Sequence, residues 1–207
     1  MKVYKELEQG SEEWLIARLG KITGTRSKGL FVDSDTLKID LLIEKYEDFN
    51  SEENYTSTAM ERGSEMEPLA LMELSKELFI DFKTFGFVEN GILGISPDGL
   101  TEDLKIACEI KCPLSKKHMN TILSDEIPLD NINQCIHYFA VIDSLEKLYF
   151  CSYRPENKKK SLFIKELTRE SEVNIGTKVK PKLKKISELV EFIKDESKKI
   201  EQWINEN

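Results

Sequence analysis

The feature that most constrains the fold is the apolar run at residues 105–112, which carries a glutamate and a lysine near its end. Side chains alternate between the two faces of a strand, so Glu109 and Lys111 point to one side and Cys108 and Ile110 to the other. A turn with the sequence Ser-Pro-Asp-Gly stands upstream, at residues 96–99. Charged side chains on an otherwise buried strand are costly unless something requires them.

These residues have two interpretations, one as a functional site and one as an ordinary surface strand and turn. A carboxylate from the turn, Asp98, and one from the strand, Glu109, can together grip a hard divalent cation such as Mg²⁺. The Lys111 ammonium can stabilise a developing negative charge or orient a water molecule, which indicates a metal-dependent phosphodiester hydrolase. The alternative is a surface strand whose Glu and Lys face solvent beside an ordinary turn.

The motif resembles the PD-(D/E)xK nuclease signature, with Pro97 as the leading proline and Asp98, Glu109 and Lys111 as the signature residues. More narrowly, residues 96–100 (SPDGL) and 109–113 (EIKCP) resemble the lambda exonuclease / YqaJ viral recombinase family. The resemblance implies an α/β fold with a central mixed β-sheet flanked by helices. It also implies that Asp98, Glu109 and the backbone carbonyl of Ile110 bind metal.

A second motif lies at the N-terminus. Ser11 is a good helix N-cap and Gly20 a typical helix stop, so residues 11–20 predict a short helix. The alternative without a binding role is an amphipathic helix with an exposed Arg18. The string from Gln9 through Gly20 resembles the family's N-terminal motif, which implies that Arg18, Thr25 and Ser96 hold a DNA 5′-phosphate. The family more often has serine at the position of Thr25.

The third block is a helix predicted over residues 57–79. Glu67 heads a stripe with Leu71, Leu74 and Leu78 at helical spacing, where a carboxylate is expensive unless it reaches a cation. Pro68 marks either the first turn of the helix or a kink. The resemblance implies that Glu67 is a third acid of the metal site; the alternative is a partly exposed Glu at a helix start.

A buried helix is also predicted at residues 131–141. Gln134 and Tyr138 are four residues apart and share one face. This spacing matches a secondary motif of PD-(D/E)xK nucleases, which implies that Gln134 assists catalysis and Tyr138 contacts substrate. Ile136 stands where many family members have a second glutamine. A helix with one inward amide is the alternative.

The remaining pattern completes an α/β order of elements. An amphipathic helix is predicted over residues 35–49 and a polar loop over 50–54. Asn90-Gly91 predicts a hairpin between two strands, and two further strands follow residue 146. We expect one nuclease domain, 1–207, with phosphate-binding helices at 1–80, a catalytic core at 81–166 and a C-terminal helix at about 182–205.

Composition limits the compartment and the mode of DNA contact. The 207-residue chain has a net charge of −8 and four cysteines without a convincing zinc spacing, which indicates buried, reduced thiols. No apolar run is long enough for a membrane span, so we expect a cytoplasmic protein. The charge argues against binding through an overall positive field and favours a locally basic passage.

The resemblance as a whole implies an exonuclease that digests double-stranded DNA 5′→3′ from 5′-phosphorylated ends and leaves 3′ single strands. It implies two Mg²⁺ ions per site with Mn²⁺ as a substitute, a ring-shaped homotrimer, a single-strand annealing protein as partner, and a phage or prophage in a bacterial cell. The alternatives are an endonuclease of restriction or repair, and a non-catalytic scaffold that binds DNA ends.

Overall fold

The computed structural model describes residues 1–47, 58–177 and 179–207, with the backbone alone at 58–61. The helices are α1 Glu12–Arg18, α2 Lys28–Phe31, α3 Asp35–Tyr46, α4 Thr58–Leu78, α5 Ser115–Ser124, α6 Leu129–Val141 and α7 Ile186–Glu206. The strands are β1 Lys2–Tyr4, β2 Phe87–Asn90, β3 Leu93–Ile95, β4 Gly99–Leu100, β5 Ile106–Lys111, β6 Lys147–Tyr153, β7 Leu162–Thr168, β8 Glu172–Asn174 and β9 Leu183–Lys185. The predicted α/β class, a mixed sheet flanked by helices, is confirmed.

The central feature is a four-stranded sheet in the order β4-β5-β6-β7. Strands β5 and β6 are parallel, and the chain crosses between them through α5 and α6, while the other two pairings are antiparallel. In the parallel register Glu109 lies opposite Phe150 and Lys111 opposite Ser152. The strand that bears the charged pair is therefore internal to the sheet and has hydrogen-bonded neighbours on both sides.

Both faces of this sheet are covered, which explains why β5 reads as an apolar run. Ala107 and Phe150 belong to one core cluster together with α6 and α7. Cys108 and Ile110 belong to a second cluster, to which Leu74 of α4 contributes. The predicted stripe on α4 thus packs against the face of β5 opposite to Glu109.

A separate three-stranded sheet, β1-β2-β3, departs from the single central sheet that the sequence predicted. The β2–β3 hairpin turns at Gly91, whose φ is +62°, as the Asn-Gly pair predicts. However, β2 pairs with β1 rather than with the central sheet. Strand β1 has three residues, too few to show an alternating pattern, so the sequence did not predict it.

The predicted starts and ends of the helices agree with the structure in some places and differ in others. Ser11 caps α1 by accepting a hydrogen bond from the Trp14 backbone N–H at 3.2 Å, and Gly20 after the helix has a φ of +66°. The helix predicted over 35–49 ends at Tyr46, while Phe49 and the loop predicted at 50–54 lie outside the described residues. The C-terminal helix begins at Ile186 rather than near 182, because residues 183–185 pair with β8.

Two further expectations concern thiols and membranes. Cys108, Cys135 and Cys151 are buried, Cys112 is half-buried, and all four are free thiols. Among the residues that the structure describes, no helix combines the length and apolar character required for crossing a bilayer.

Candidate active site and phosphate pocket

Glu109 is the buried carboxylate at the centre of the site, with none of its side chain exposed. Its Oε2 accepts a hydrogen bond of 2.9 Å from the Tyr138 hydroxyl, and its Oε1 forms an ion pair with the Lys111 ammonium. The two strand residues therefore share one face, as alternation predicts, and that face looks toward α6 rather than solvent. This excludes the alternative of a solvated surface strand.

Asp98 lies beside this pair because the turn after β3 returns the chain to the sheet at β4. Its Oδ2 accepts a hydrogen bond from the Ile110 backbone N–H at 2.5 Å. Burial, and next the charge of Glu109, raise the pKa of Asp98 well above its ordinary value, although Lys111 and the Ile110 N–H oppose them. The turn carboxylate and the strand carboxylate thus share one electrostatic environment.

Glu67 joins the same environment from α4. It is half-buried, and it lines a cleft of about 630 Å³ together with Ile110 and Lys111. Burial raises the pKa of Glu67, Lys111 lowers it and Glu109 raises it further. The structure therefore brings together Glu67, Asp98 and Glu109, which the sequence predicted from three separate segments.

Lys111 is the cation of this cluster. Burial alone would lower its pKa, but the charges of Glu109 and Asp98 and the contact with Glu109 outweigh burial and raise the pKa above the ordinary lysine value. The ammonium therefore stays protonated near neutral pH. It can donate hydrogen bonds and stabilise negative charge, and it is not a proton acceptor.

The donor set fits a hard divalent cation. Within the described residues no three His, Cys, Asp or Glu side chains converge into a ready metal cage. Mg²⁺ does not require one, because it is commonly held by one or two carboxylates together with waters and substrate phosphates. Burial is the main cause of the raised pKa values of Asp98 and Glu67, and the charge of Glu109 raises both further; a bound cation would offset that negative charge.

A second polar pocket forms around Arg18, at the end of α1. Its Nη1 donates to Ser96 Oγ at 2.8 Å, and its guanidinium stacks over the Trp14 ring, 4.0 Å from the centroid. The indole Nε1 of Trp14 also donates to Ser96 Oγ, at 2.9 Å. Burial, together with the charge of Arg26, lowers the pKa of Arg18 to about 10. The guanidinium is thus half-buried in surroundings that favour an anion.

Thr25 and Arg26 line the same pocket, a cavity of about 360 Å³. Thr25 is exposed, and its hydroxyl lies 3.2 Å from that of Thr23. Arg26 is held by both oxygens of Glu44, so the nearby carboxylate pairs with Arg26 rather than with Arg18. The structure therefore places Arg18 and Thr25 on one cavity and Ser96 next to it, hydrogen-bonded to Arg18.

The pocket and the carboxylate cluster are joined by the segment Ser96-Pro97-Asp98. Ser96 faces the pocket and Asp98 the cluster. The Gln9 amide fixes the segment by donating to the carbonyls of Phe85 and Pro97, at 3.0 and 3.1 Å. Two residues of extended chain span about 6–7 Å, so the two sites lie close together.

Gln134 and Tyr138 occupy different depths on α6. Tyr138 is fully buried, and its hydroxyl, which donates to Glu109, also lies 3.2 Å from the Cys108 carbonyl. It stands behind the carboxylates rather than at the cleft surface. Gln134 is half-buried and packs against the Thr23–Thr25 loop, since a Cβ at Gly24 would lie 2.9 Å from its Cγ.

Residues 13–144 match the YqaJ-like viral recombinase domain. The chain belongs to this family. No curated protein sequence matches significantly. By its family, this YqaJ-like chain is a deoxyribonuclease of phage-type recombination.

Solved structures share the fold of the YqaJ-like chain. LHK-Exo, an alkaline exonuclease from Laribacter hongkongensis, superposes with a TM-score of 0.74 in complex with dAMP and 0.71 in a second structure. The identities are 23% and 24%, and each alignment covers 94% of this chain and 95% of the other. A phage-related exonuclease from Haemophilus somnus 129PT has a TM-score of 0.58 at 12% identity, covering 90% and 94%.

Several residues of the site were not predicted from the sequence. Gln9 and Trp14 were noted only as part of a motif, yet both hold the 96–98 segment. Arg62 lines the cleft and donates to the Cys112 carbonyl at 2.8 Å. His118 is buried, and its ring nitrogens contact Ser152 Oγ and the Lys160 carbonyl at 2.9 and 2.7 Å. Since all of these contacts are long-range, no local pattern could reveal them.

Proposed function

We propose that this YqaJ-like protein is a Mg²⁺-dependent exonuclease that digests double-stranded DNA from 5′-phosphorylated ends and leaves 3′ single strands. Mn²⁺ substitutes for Mg²⁺, and the site takes two ions. The supporting observation is the short distance between an anion pocket at Ser96 and a carboxylate cluster at Asp98.

This distance determines the proposed direction of digestion. A terminal phosphate bound by Arg18, Thr25 and Ser96 would place the first phosphodiester about one nucleotide away, near Asp98. The pocket is built for a group with several acceptor oxygens, because a guanidinium and hydroxyls converge on it. A 5′-terminal phosphate meets that requirement, whereas an internal phosphodiester has one fewer free oxygen.

Each residue of the cluster has a proposed role. Asp98, Glu109 and the Ile110 carbonyl hold the cation, and Glu67 contributes a third acid. A bound divalent cation lowers the pKa of water and neutralises charge on the scissile phosphate. Lys111 donates to the phosphate oxygens or orients the attacking water. Gln134 assists from α6, and Tyr138 fixes the orientation of Glu109.

The proposal extends to assembly and setting. A ring-shaped trimer around the DNA would retain the duplex between successive cleavages. A single-strand annealing protein would take up the 3′ strand. Both would operate in the cytoplasm of a bacterial cell that carries the phage or prophage.

The first test uses linear duplex DNA with either 5′-phosphate or 5′-hydroxyl ends, digested in Mg²⁺ or in EDTA. We expect release of nucleotides from the phosphorylated 5′ ends, and none in EDTA. Lys111→Ala is expected to reduce the rate by about 10²- to 10³-fold, because it removes a buried charged donor from the transition state. Lys105→Ala is the matched control, since Lys105 is an exposed lysine just before the other end of β5.

Arg18→Gln tests the pocket separately. We expect it to reduce the preference for 5′-phosphorylated over 5′-hydroxyl ends. The reason is that the guanidinium proposed to bind the negatively charged terminal phosphate is lost. Cleavage of closed circular DNA would replace the exonuclease by an endonuclease with the same cluster. DNA binding without cleavage in any divalent metal would favour the scaffold alternative.

A further inference from the structure

Two cationic side chains line the cleft outside the carboxylate cluster, Arg62 from α4 and Lys117 from α5. Neither belongs to a motif that the sequence singled out. Both are partly exposed, with 24% and 48% of the side chain accessible. They stand on the same side of the cleft wall as Cys112 and Pro113, the residues that follow Lys111.

Arg62 is oriented by the backbone next to the catalytic lysine. Its Nη1 donates to the carbonyl of Cys112, one residue beyond Lys111, at 2.8 Å. Its Nη2 donates to both carboxylate oxygens of Glu156, at 2.8 and 3.1 Å. The guanidinium therefore lies against the backbone one residue beyond Lys111, in the cleft that Lys111 also lines.

Lys117 shows the same arrangement. Its ammonium pairs with Asp130 at 2.8 Å, and 73% of the Asp130 side chain is exposed. Glu156 is likewise exposed, at 53%. Each of these two cations is therefore held by an exposed carboxylate that does not itself line the cleft.

Such pairs are easily exchanged. Both carboxylates are exposed, so water screens their attraction to the cations and lowers the cost of separating each pair. A phosphate presents the same pair of oxygens to a guanidinium as a carboxylate does. The bond from Arg62 to the Cys112 carbonyl does not involve Glu156, so it would keep the guanidinium aimed into the cleft after an exchange.

We propose that Arg62 and Lys117 bind the backbone phosphates adjacent to the scissile one, and that Glu156 and Asp130 occupy these cations until DNA displaces them. The inference rests on the DNA substrate of the proposed function. It would give a chain with a net charge of −8 two local cationic contacts for a polyanion.

The experiment measures equilibrium binding of a duplex oligonucleotide in EDTA over a range of salt concentrations, so that no cleavage occurs. Glu156→Gln is expected to bind about 3- to 10-fold more tightly than the wild type. Arg62→Gln is expected to bind more weakly, and its plot of log K against log salt should be shallower by about one unit, the effect of one lost phosphate contact.

Two variants separate this role from simpler ones. Glu146→Gln removes the same charge from the exposed Lys105–Glu146 pair, just before the other end of β5, and should leave affinity within twofold of the wild type. In the double variant Arg62→Gln/Glu156→Gln most of the gain from Glu156→Gln should vanish, because Arg62 is absent and only Arg154, whose Nε lies 3.7 Å from Glu156, is released. Thermal unfolding of each variant checks that the fold is retained.

A purely structural ion pair gives different results. In that case Glu156→Gln and Arg62→Gln would both lower the unfolding temperature, and the salt dependence would equal that of the wild type. Unchanged or weaker binding by Glu156→Gln would also overturn the inference. If the wild type bound no duplex at all, the proposed DNA substrate would fail together with it.

Discussion

The carboxylate of Glu109 shows how a buried charge is retained in an active site. One oxygen faces a hydroxyl and the other an ammonium, so neither is left in an apolar environment without a partner. A buried charge with its partners removed would be strongly destabilising. The same arrangement keeps the carboxylate in one orientation, which a metal ligand requires.

Tyr138→Phe tests this positioning role. The change removes the hydroxyl that donates to Glu109 and lies 3.2 Å from the Cys108 carbonyl, and it keeps the ring that fills the core. We expect the rate at saturating Mg²⁺ to fall about 10-fold, which corresponds to the loss of a hydrogen bond to a charged group. The Mg²⁺ concentration for half-maximal activity should rise. An unchanged Mg²⁺ dependence would contradict the assignment.

His137 makes the free energy of unfolding depend on pH in the acidic range. Burial lowers its pKa to about 4, although hydrogen bonds to backbone carbonyls oppose the shift. The unfolded chain, with an ordinary pKa near 6.5, binds the proton more readily, so the stabilisation is complete above pH 6.5 and is lost as the pH falls toward 4. The difference amounts to about 3 kcal/mol.

The variant His137→Gln should therefore lose less stability than the wild type between pH 6.5 and 4. Its amide can still donate to the Gly94 carbonyl, which His137 Nε2 meets at 3.0 Å. Urea denaturation at several pH values measures the two slopes. Parallel slopes would show that His137 does not titrate differently in the folded state.

Helix α4 contains a proline, Pro68, directly after Glu67. Pro68 lies well inside the helix, which excludes the predicted alternative of a first-turn proline. It has no N–H to donate to the carbonyl of Ser64, four residues earlier, and Ser64 lines the cleft. The element therefore carries a local defect at the point where it meets the active site.

Pro68→Ala is expected to stabilise the fold by about 2 kcal/mol. A helix-interior proline costs about 3 kcal/mol relative to alanine, and the greater freedom of the unfolded variant offsets up to about 1 kcal/mol of the gain. Guanidinium denaturation measures the change. Leu69→Ala, at the exposed neighbouring residue, is the control and should change stability by less than 0.5 kcal/mol. A destabilised Pro68→Ala would mean that the helix depends on the bend.

Helix α7 is primarily a core element. Its buried side chains, which include Ile186, Leu189, Val190, Ile193, Ile200 and Ile204, join the same cluster as the central sheet. Trp203 packs against that cluster too.

At the scale of the whole molecule, the proposed trimer predicts a mass three times that of the chain in native mass spectrometry. The ring would give long digestion tracts from each binding event, because the duplex is enclosed. A monomeric mass over the micromolar range would contradict the trimer, and it would leave the cluster and the pocket as sites of a single chain.

The relative placement of several candidate site residues could be predicted from the sequence because it follows local rules. Alternation along one strand put Glu109 and Lys111 on one face, and helical spacing put Glu67 on the stripe with Leu74. The resemblance then connected them to Asp98 and Arg18. That Ser96 lies beside Arg18 could be expected only from the family, since the two residues are 78 positions apart.

The tertiary structure alone decided the contacts that turn these residues into sites. The sequence determined the class of fold, the catalytic strand and its flanking motifs, because period and turn chemistry act over a few residues. It did not determine the pairing of β1 with β2, the hydrogen bond from Gln9 to the Pro97 carbonyl, or the ion pair between Arg62 and Glu156. Each of these contacts joins segments that are far apart in the sequence; Gln9 and Pro97, for example, are separated by 88 residues. Such segments meet only when the whole chain folds and buries its apolar faces together.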